Sequence, residues 1–150
     1  MFIAQIIRQR VDGWNTRILG ETDALTFCRH HQIRILEDAK LRYGQIQFYR
    51  GHSFIFINPN LSPGMRSWVL WHEIAHFILH DPIVSTFSRQ CRRKCDCEAN
   101  YVAAIALMPI SILEHVTFGE LEECYGYPSE LIRLRWDIYE RRKLAELEAV

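Results

Sequence analysis

The sequence predicts an α+β fold: a small antiparallel sheet of about three strands, packed on a helical core and followed by C-terminal helices. Three observations predict it. Short segments with apolar residues at every second position cluster between positions 32 and 58. Apolar segments with helical spacing dominate from position 63 onward. The strands come as one block instead of alternating with helices, which speaks against a βαβ arrangement.

Each element has a local signal. Thr22 or Asp23 can cap a helix that runs to His31, with Ala24, Leu25 and Cys28 on one face. QIRIL, GQIQFYR and HSFIFIN then read as strands, with Ile33/Ile35 and Ile46/Phe48 on common faces. RGHS, with Gly51, is a hairpin turn between the second and third. NPNLSPG ends the block with turn formers. Ser62-Pro63 is a helix start, a capping side chain before a proline whose missing N–H is harmless there; the helix runs to His80 and Asp81-Pro82 stops it. Residues 83–94 read as a loop with a basic end. A second apolar helix spans Asp96 to Met108, and Ser111 with Glu114 has the form of a capping box for a third. Glu120–Tyr125, a turn at Gly126 and a long amphipathic helix from Pro128 complete the chain, whose charged end from Glu140 is expected to fray.

The 150 residues are read as a single domain, with a central part at about 52–109 and a helical part at about 110–150. Eighteen basic and eighteen acidic residues cancel, so the bulk charge that draws nucleic acid is missing and no direct nucleic-acid partner is expected. No apolar run reaches the ~20 residues of a membrane span, and Gln5 and Arg8 interrupt the N-terminal one. Five cysteines, three of them crowded between Cys91 and Cys97, suit reduced thiols better than a disulfide framework. The expected compartment is the cytoplasm.

The chemistry lies in Trp71–His80, WHEIAHFILH, where His72, His76 and His80 recur at every fourth position. On a helix, residues four apart share a face about 6 Å apart along the axis, so His72 and His76 can aim two ring nitrogens at one Zn²⁺. Glu73 is rotated by about 100° from His72, placed to reach a water without ligating the ion. This is H-E-x-x-H: zinc polarises a carbonyl and activates water, and the glutamate carries the proton to the leaving amine. A catalytic zinc takes a third protein ligand. The histidine that a metzincin places six residues on is replaced by Pro82. His80, one turn further, suits a role behind the ligands or a cation near a helix C-terminus. The following helix offers Glu98 among Ala99, Val102, Ala103, Ala104 and Ala106, small residues that permit close helix approach. A carboxylate on the inner face of such a helix suggests a ligand, with Asn100 as a packing residue or a support for one.

HEIAH, with EANYVAAIALMP beginning 22 residues after His76 and INPNLSPGMRSWVLW before it, resembles the ImmA/IrrE family of metallo-endopeptidases. The resemblance covers Thr22–Pro109 and, more loosely, the C-terminal helices. It implies a thermolysin-like minimal core with His72, His76 and Glu98 on Zn²⁺ and Glu73 as catalytic base. It also implies a protein substrate, a helix-turn-helix transcriptional repressor. Cys95 and Cys97 depart from the polar or charged residues common there in the family.

The remaining features are weighed against plain packing. Tyr101 and His115 are candidates to stabilise the transition-state oxyanion. Cys91, Cys95 and Cys97 could be a second metal or redox site, but their spacing matches no structural zinc site. Arg66 is read as a solvated or salt-bridged helix residue. ELEECYGYPSELIRLRW has a helix-turn-helix outline, but its glutamates would face phosphates unfavourably, so packing or docking of a protein substrate fits better. The expected activity is that of a zinc endopeptidase. The alternatives are another zinc amide hydrolase and a non-catalytic, zinc-containing regulator that binds a partner.

Overall fold

The computed structural model describes residues 2–80 and 88–148. Among these, helices α1 (Phe2–Arg10) and α2 (Glu21–His30) precede strands β1 (Ile33–Glu37), β2 (Gly44–Tyr49) and β3 (His52–Ile57). Helices α3 (Pro63–Leu79), α4 (Arg89–Leu107), α5 (Ile110–Leu113), α6 (Phe118–Glu123) and α7 (Ser129–Glu148) follow. The α+β class is as the sequence predicts. No helix among the described residues is long and apolar enough to cross a membrane.

The sheet corrects one expectation: it is mixed, not antiparallel. The order is β1-β3-β2, with β1 parallel to β3 and β2 antiparallel to it. Arg50 and Gly51, at φ 48° and 78°, make the tight turn that joins β2 to β3. The connection after β1 crosses the end of β3, so the hairpin docks with its second strand innermost. Asn58 holds that connection in place, its Nδ2 donating to Leu41 O and its backbone N–H to Tyr43 O, both at 2.9 Å. Ile35, Ile55 and Ile46 stand abreast across the three strands. Ile55 and Ile57 are fully buried beneath the helices.

Several helix boundaries differ from the sequence reading. The N-terminal segment, whose apolar run Gln5 and Arg8 interrupt, forms α1, which buries Ala4 and Ile7. Asp23 does not cap α2 from outside; it is the third residue of the helix and accepts the Gly20 N–H at 3.0 Å. Helix α4 begins at Arg89, not Asp96, because Ser88 accepts the Cys91 N–H and the basic run that follows consists of good helix formers. Residues 81–87, with the Asp81-Pro82 stop and the start of the expected loop, lie outside the described residues. Ser111 and Glu114 form no capping box, since Glu114 is the last cap of the short α5. The capping box belongs to Thr117 and Glu120 at the start of α6. Helix α7 continues through Glu148, its charged end carrying an Arg142–Glu146 pair.

Helices α3 and α4 pack directly on each other. Ala99, Val102, Ala103 and Ala106 are all fully buried, and their small volumes allow the close approach. Gly64, in the first turn of α3, lies so near the turn at Gly126 that an added Cβ would stand 2.0 Å from the Gly126 carbonyl. This contact fixes the C-terminal helices against the start of α3. Arg135 is buried on α7, where its Nε donates to Met108 O at 2.6 Å, so this part of the helix-turn-helix outline serves packing. Arg66 is paired with Glu21 of α2.

Candidate metal centre

Ser62 accepts the Met65 N–H and Pro63 takes the first helical position, which sets the start and phase of α3. That phase turns His72 and His76 toward α4. Their Nε2 atoms lie 3.1 Å apart. Asp96 Oδ1, from α4, stands 3.1 Å from His76 Nε2 and 3.6 Å from His72 Nε2. Ligands on a tetrahedral zinc with bonds of about 2.0–2.1 Å are about 3.3 Å apart. The three atoms form a triangle of that size, and they are the one group of metal-ligating side chains found among the described residues. Two imidazoles and a carboxylate with an open side are also the donor set of a catalytic zinc.

Asp96 went unnoticed as a ligand candidate in the sequence. Glu98, which the sequence reading put there, lies outside the triangle with its Oε2 3.0 Å from His80 Nε2. The helix explains the difference. Residues two apart leave a helix in different directions, so Glu98 does not share the Asp96 face, although both reach the histidine row of α3, Asp96 at His72 and His76 and Glu98 at His80. Asn100, four residues after Asp96, does share that face, and its Oδ1 lies 2.7 Å from His72 Nδ1. The four-residue spacing of Asp96 and Asn100, matching that of His72 and His76, was the signal available in the sequence. His80 caps the C-terminus of α3, and its Nδ1 lies 2.8 Å from His76 Nδ1.

Glu73 is buried, and its Oε2 accepts the Ile46 N–H of the edge strand β2 at 2.9 Å. Burial raises its pKa, against the opposing pull of His72 and of the Ile46 hydrogen bond. Burial pushes His76 down to about 4, with His72 and His80 adding to it. Burial also opposes charge on His72, but Asp96, Glu73 and Asn100 outweigh it and raise its pKa. The two histidines, His72 foremost, hold the Asp96 carboxylate below its ordinary range.

These groups open into a cleft of about 280 Å³, walled by Tyr43, Gly44, Met65, Trp68 and Val69 with Glu130 at its edge. His72, Glu73, Asp96 and Asn100 line the same space. Gly44 is required there: a Cβ would meet Val69 Cγ1 at 2.6 Å and Phe56 O at 2.9 Å. The Trp68 Nε1 donor is buried without a partner among the described residues. Tyr101 packs on Trp14, and neither it nor His115 lines the cleft. Cys91, Cys97 and Cys124 are exposed and Cys28 and Cys95 buried, all as free thiols outside the ligand triangle.

Residues 28–136 match the model of the M78 peptidases, described as the IrrE N-terminal-like domain. The chain belongs to this family. The matched region contains the sheet, α3, α4 and the start of α7, and so holds every residue of the ligand triangle and its cleft. Membership in M78 implies a metallopeptidase type of activity, a metal ion and a protein substrate. A comparison with curated proteins gives no match.

Proposed function

We propose that this M78 chain is a zinc-dependent endopeptidase whose substrate is a helix-turn-helix transcriptional repressor. The observation that carries the catalytic part is the ligand triangle of His72, His76 and Asp96 beside the buried Glu73 in one open cleft. In this reading the third ligand is Asp96, and Glu98 takes a place behind the ligands. Zinc, when bound, supplies Lewis acidity toward a peptide carbonyl and lowers the pKa of water to near neutrality.

The protein's own groups do the rest. Asn100 accepts from His72 Nδ1 and so leaves His72 Nε2 free as a ligand atom. Glu73 accepts the proton of the attacking water and returns it to the leaving amine, and the burial that raises its pKa makes it the stronger proton acceptor. To do so it exchanges its hydrogen bond from Ile46 N–H for one from water. The apolar walls at Met65, Trp68 and Val69 exclude solvent beside the reacting bond. The repressor as substrate rests on the sequence resemblance to ImmA/IrrE proteins.

The test takes a helix-turn-helix regulator from the coding regions next to this chain as candidate substrate and follows its cleavage by mass spectrometry. Zinc-loaded protein should cut at a defined bond and chelator-treated protein should not. A repressor left intact but bound would favour the non-catalytic regulator.

A further inference from the structure

Ligation through Nε2 dictates where every other proton on the two ligand histidines must sit. The nitrogen that faces the ion carries no hydrogen, so Nδ1 becomes the donor. For His72 the acceptor is the neutral amide oxygen of Asn100. For His76 it is another imidazole, since its Nδ1 lies 2.8 Å from His80 Nδ1. A contact between two ring nitrogens needs one donor and one acceptor. With the proton on His76 Nδ1, His80 Nδ1 accepts, and the His80 proton belongs on Nε2. That Nε2 lies 3.0 Å from Glu98 Oε2, an acceptor of the required kind. The chain of donors runs one way, from His76 through His80 to a carboxylate.

The setting makes this chain rigid. The His80 side chain is only 8% exposed, and the His80 backbone N–H closes the last turn of α3 on His76 O. His76 and His80 thus keep the spacing of one helical turn, and Glu98 reaches His80 from α4.

We propose that Glu98 and His80 are positioning residues for His76, a carboxylate-terminated relay that fixes its ring and strengthens its Nε2 as a metal donor. The inference rests on His76 being a ligand, as in the reading above. The relay makes the two histidines unequal: His72 ends on a neutral amide, His76 on an anion. Neither Glu98 nor His80 touches the metal.

The test uses zinc affinity, by competition with a chromophoric chelator, and the visible spectrum of the cobalt-substituted protein. Wild type is compared with Glu98→Ala, Glu98→Gln, His80→Phe and the surface control His52→Ala. Glu98→Ala and His80→Phe should weaken zinc binding about 10–100-fold, the range typical for groups behind metal ligands. Their far-ultraviolet circular dichroism should be unchanged. Glu98→Gln still presents an acceptor to His80 but no charge, and should recover only part of the loss. The cobalt bands should shift in Glu98→Ala and stay put in His52→Ala. Wild-type affinity in Glu98→Ala overturns the relay and leaves the peptidase reading standing. Loss of stoichiometric zinc in Glu98→Gln also overturns it, because Glu98 would then be a ligand itself. Wild-type protein that binds no zinc overturns both readings at once. If His80→Phe fails to fold, the two Glu98 variants decide the matter alone.

Discussion

Asp96 Oδ1 and His76 Nε2 lie 3.1 Å apart across two helices, with His72 Nε2 completing a triangle of ligand size. Asp96→Asn keeps the shape of the side chain and removes its charge. Zinc affinity should fall by more than the about 10–100-fold that groups behind the ligands command. Thermal unfolding gives an independent readout. Wild type held at free zinc about 100-fold above its dissociation constant should gain about 2.7 kcal/mol of stability. Asp96→Asn at the same zinc concentration should gain almost none. Equal gains would remove Asp96 from the ligand set.

Glu73→Gln separates metal binding from catalysis. Its amide oxygen can still accept the Ile46 N–H, so the fold and the zinc stoichiometry should be retained. Turnover should drop about 10²–10⁴-fold, the usual contribution of a positioned proton carrier. Full cleavage of the repressor by this variant, with metal content measured in the same preparation, would rule out Glu73 as the base.

Gly64→Ala tests how tightly the C-terminal helices are held to α3. The added methyl group would stand 2.0 Å from the Gly126 carbonyl, a backbone atom that cannot turn aside. A cost of about 1–3 kcal/mol is expected, a fall in melting temperature of about 2–4 °C per kcal/mol. Gly119→Ala, in α6, meets nothing within 4 Å and should be neutral or slightly stabilising. Similar melting temperatures for the two variants would mean that the Gly64–Gly126 approach is looser than described.

Alkaline pH should unfold the protein partly through Cys28, whose thiol burial pushes from its ordinary 9.0 up to about 12. The folded state holds the neutral thiol, whereas above pH 9 the unfolded state gains stability as a thiolate. Stability is therefore complete below about pH 9 and declines up to about pH 12, by on the order of 4 kcal/mol at most. Tyr127, also pushed by burial up to about 12, adds in the same direction above its ordinary 10.0. Denaturant midpoints at a series of pH values should fall in this window, and Cys28→Ala should flatten the decline. An alkylating reagent at neutral pH should label Cys91, Cys97 and Cys124 and spare Cys28. Early labelling of Cys28 would contradict its burial.

The sequence by itself determined the α+β class, the three strands, the phase of α3 and the H-E-x-x-H face. Each of these depends on local periodicity or on a capping signal, such as Ser62-Pro63, that is complete within a few residues. Tertiary structure decided what local patterns do not encode. The hairpin docks β3 against β1 in parallel, a choice made by packing under α3 and not by alternation within any strand. The start of α4 at Arg89 depends on Ser88 as a cap, which a basic, apolar-poor segment gave little reason to expect. The third corner of the ligand triangle depends on the rotation of α4 against α3. Asp96 and Glu98 stand two residues apart in the chain and both reach the histidine row of α3, but they leave α4 in different directions and meet different histidines. Which carboxylate meets His72 and His76, and which meets His80, is therefore set by the packing of Ala99, Val102, Ala103 and Ala106 against the neighbouring helix.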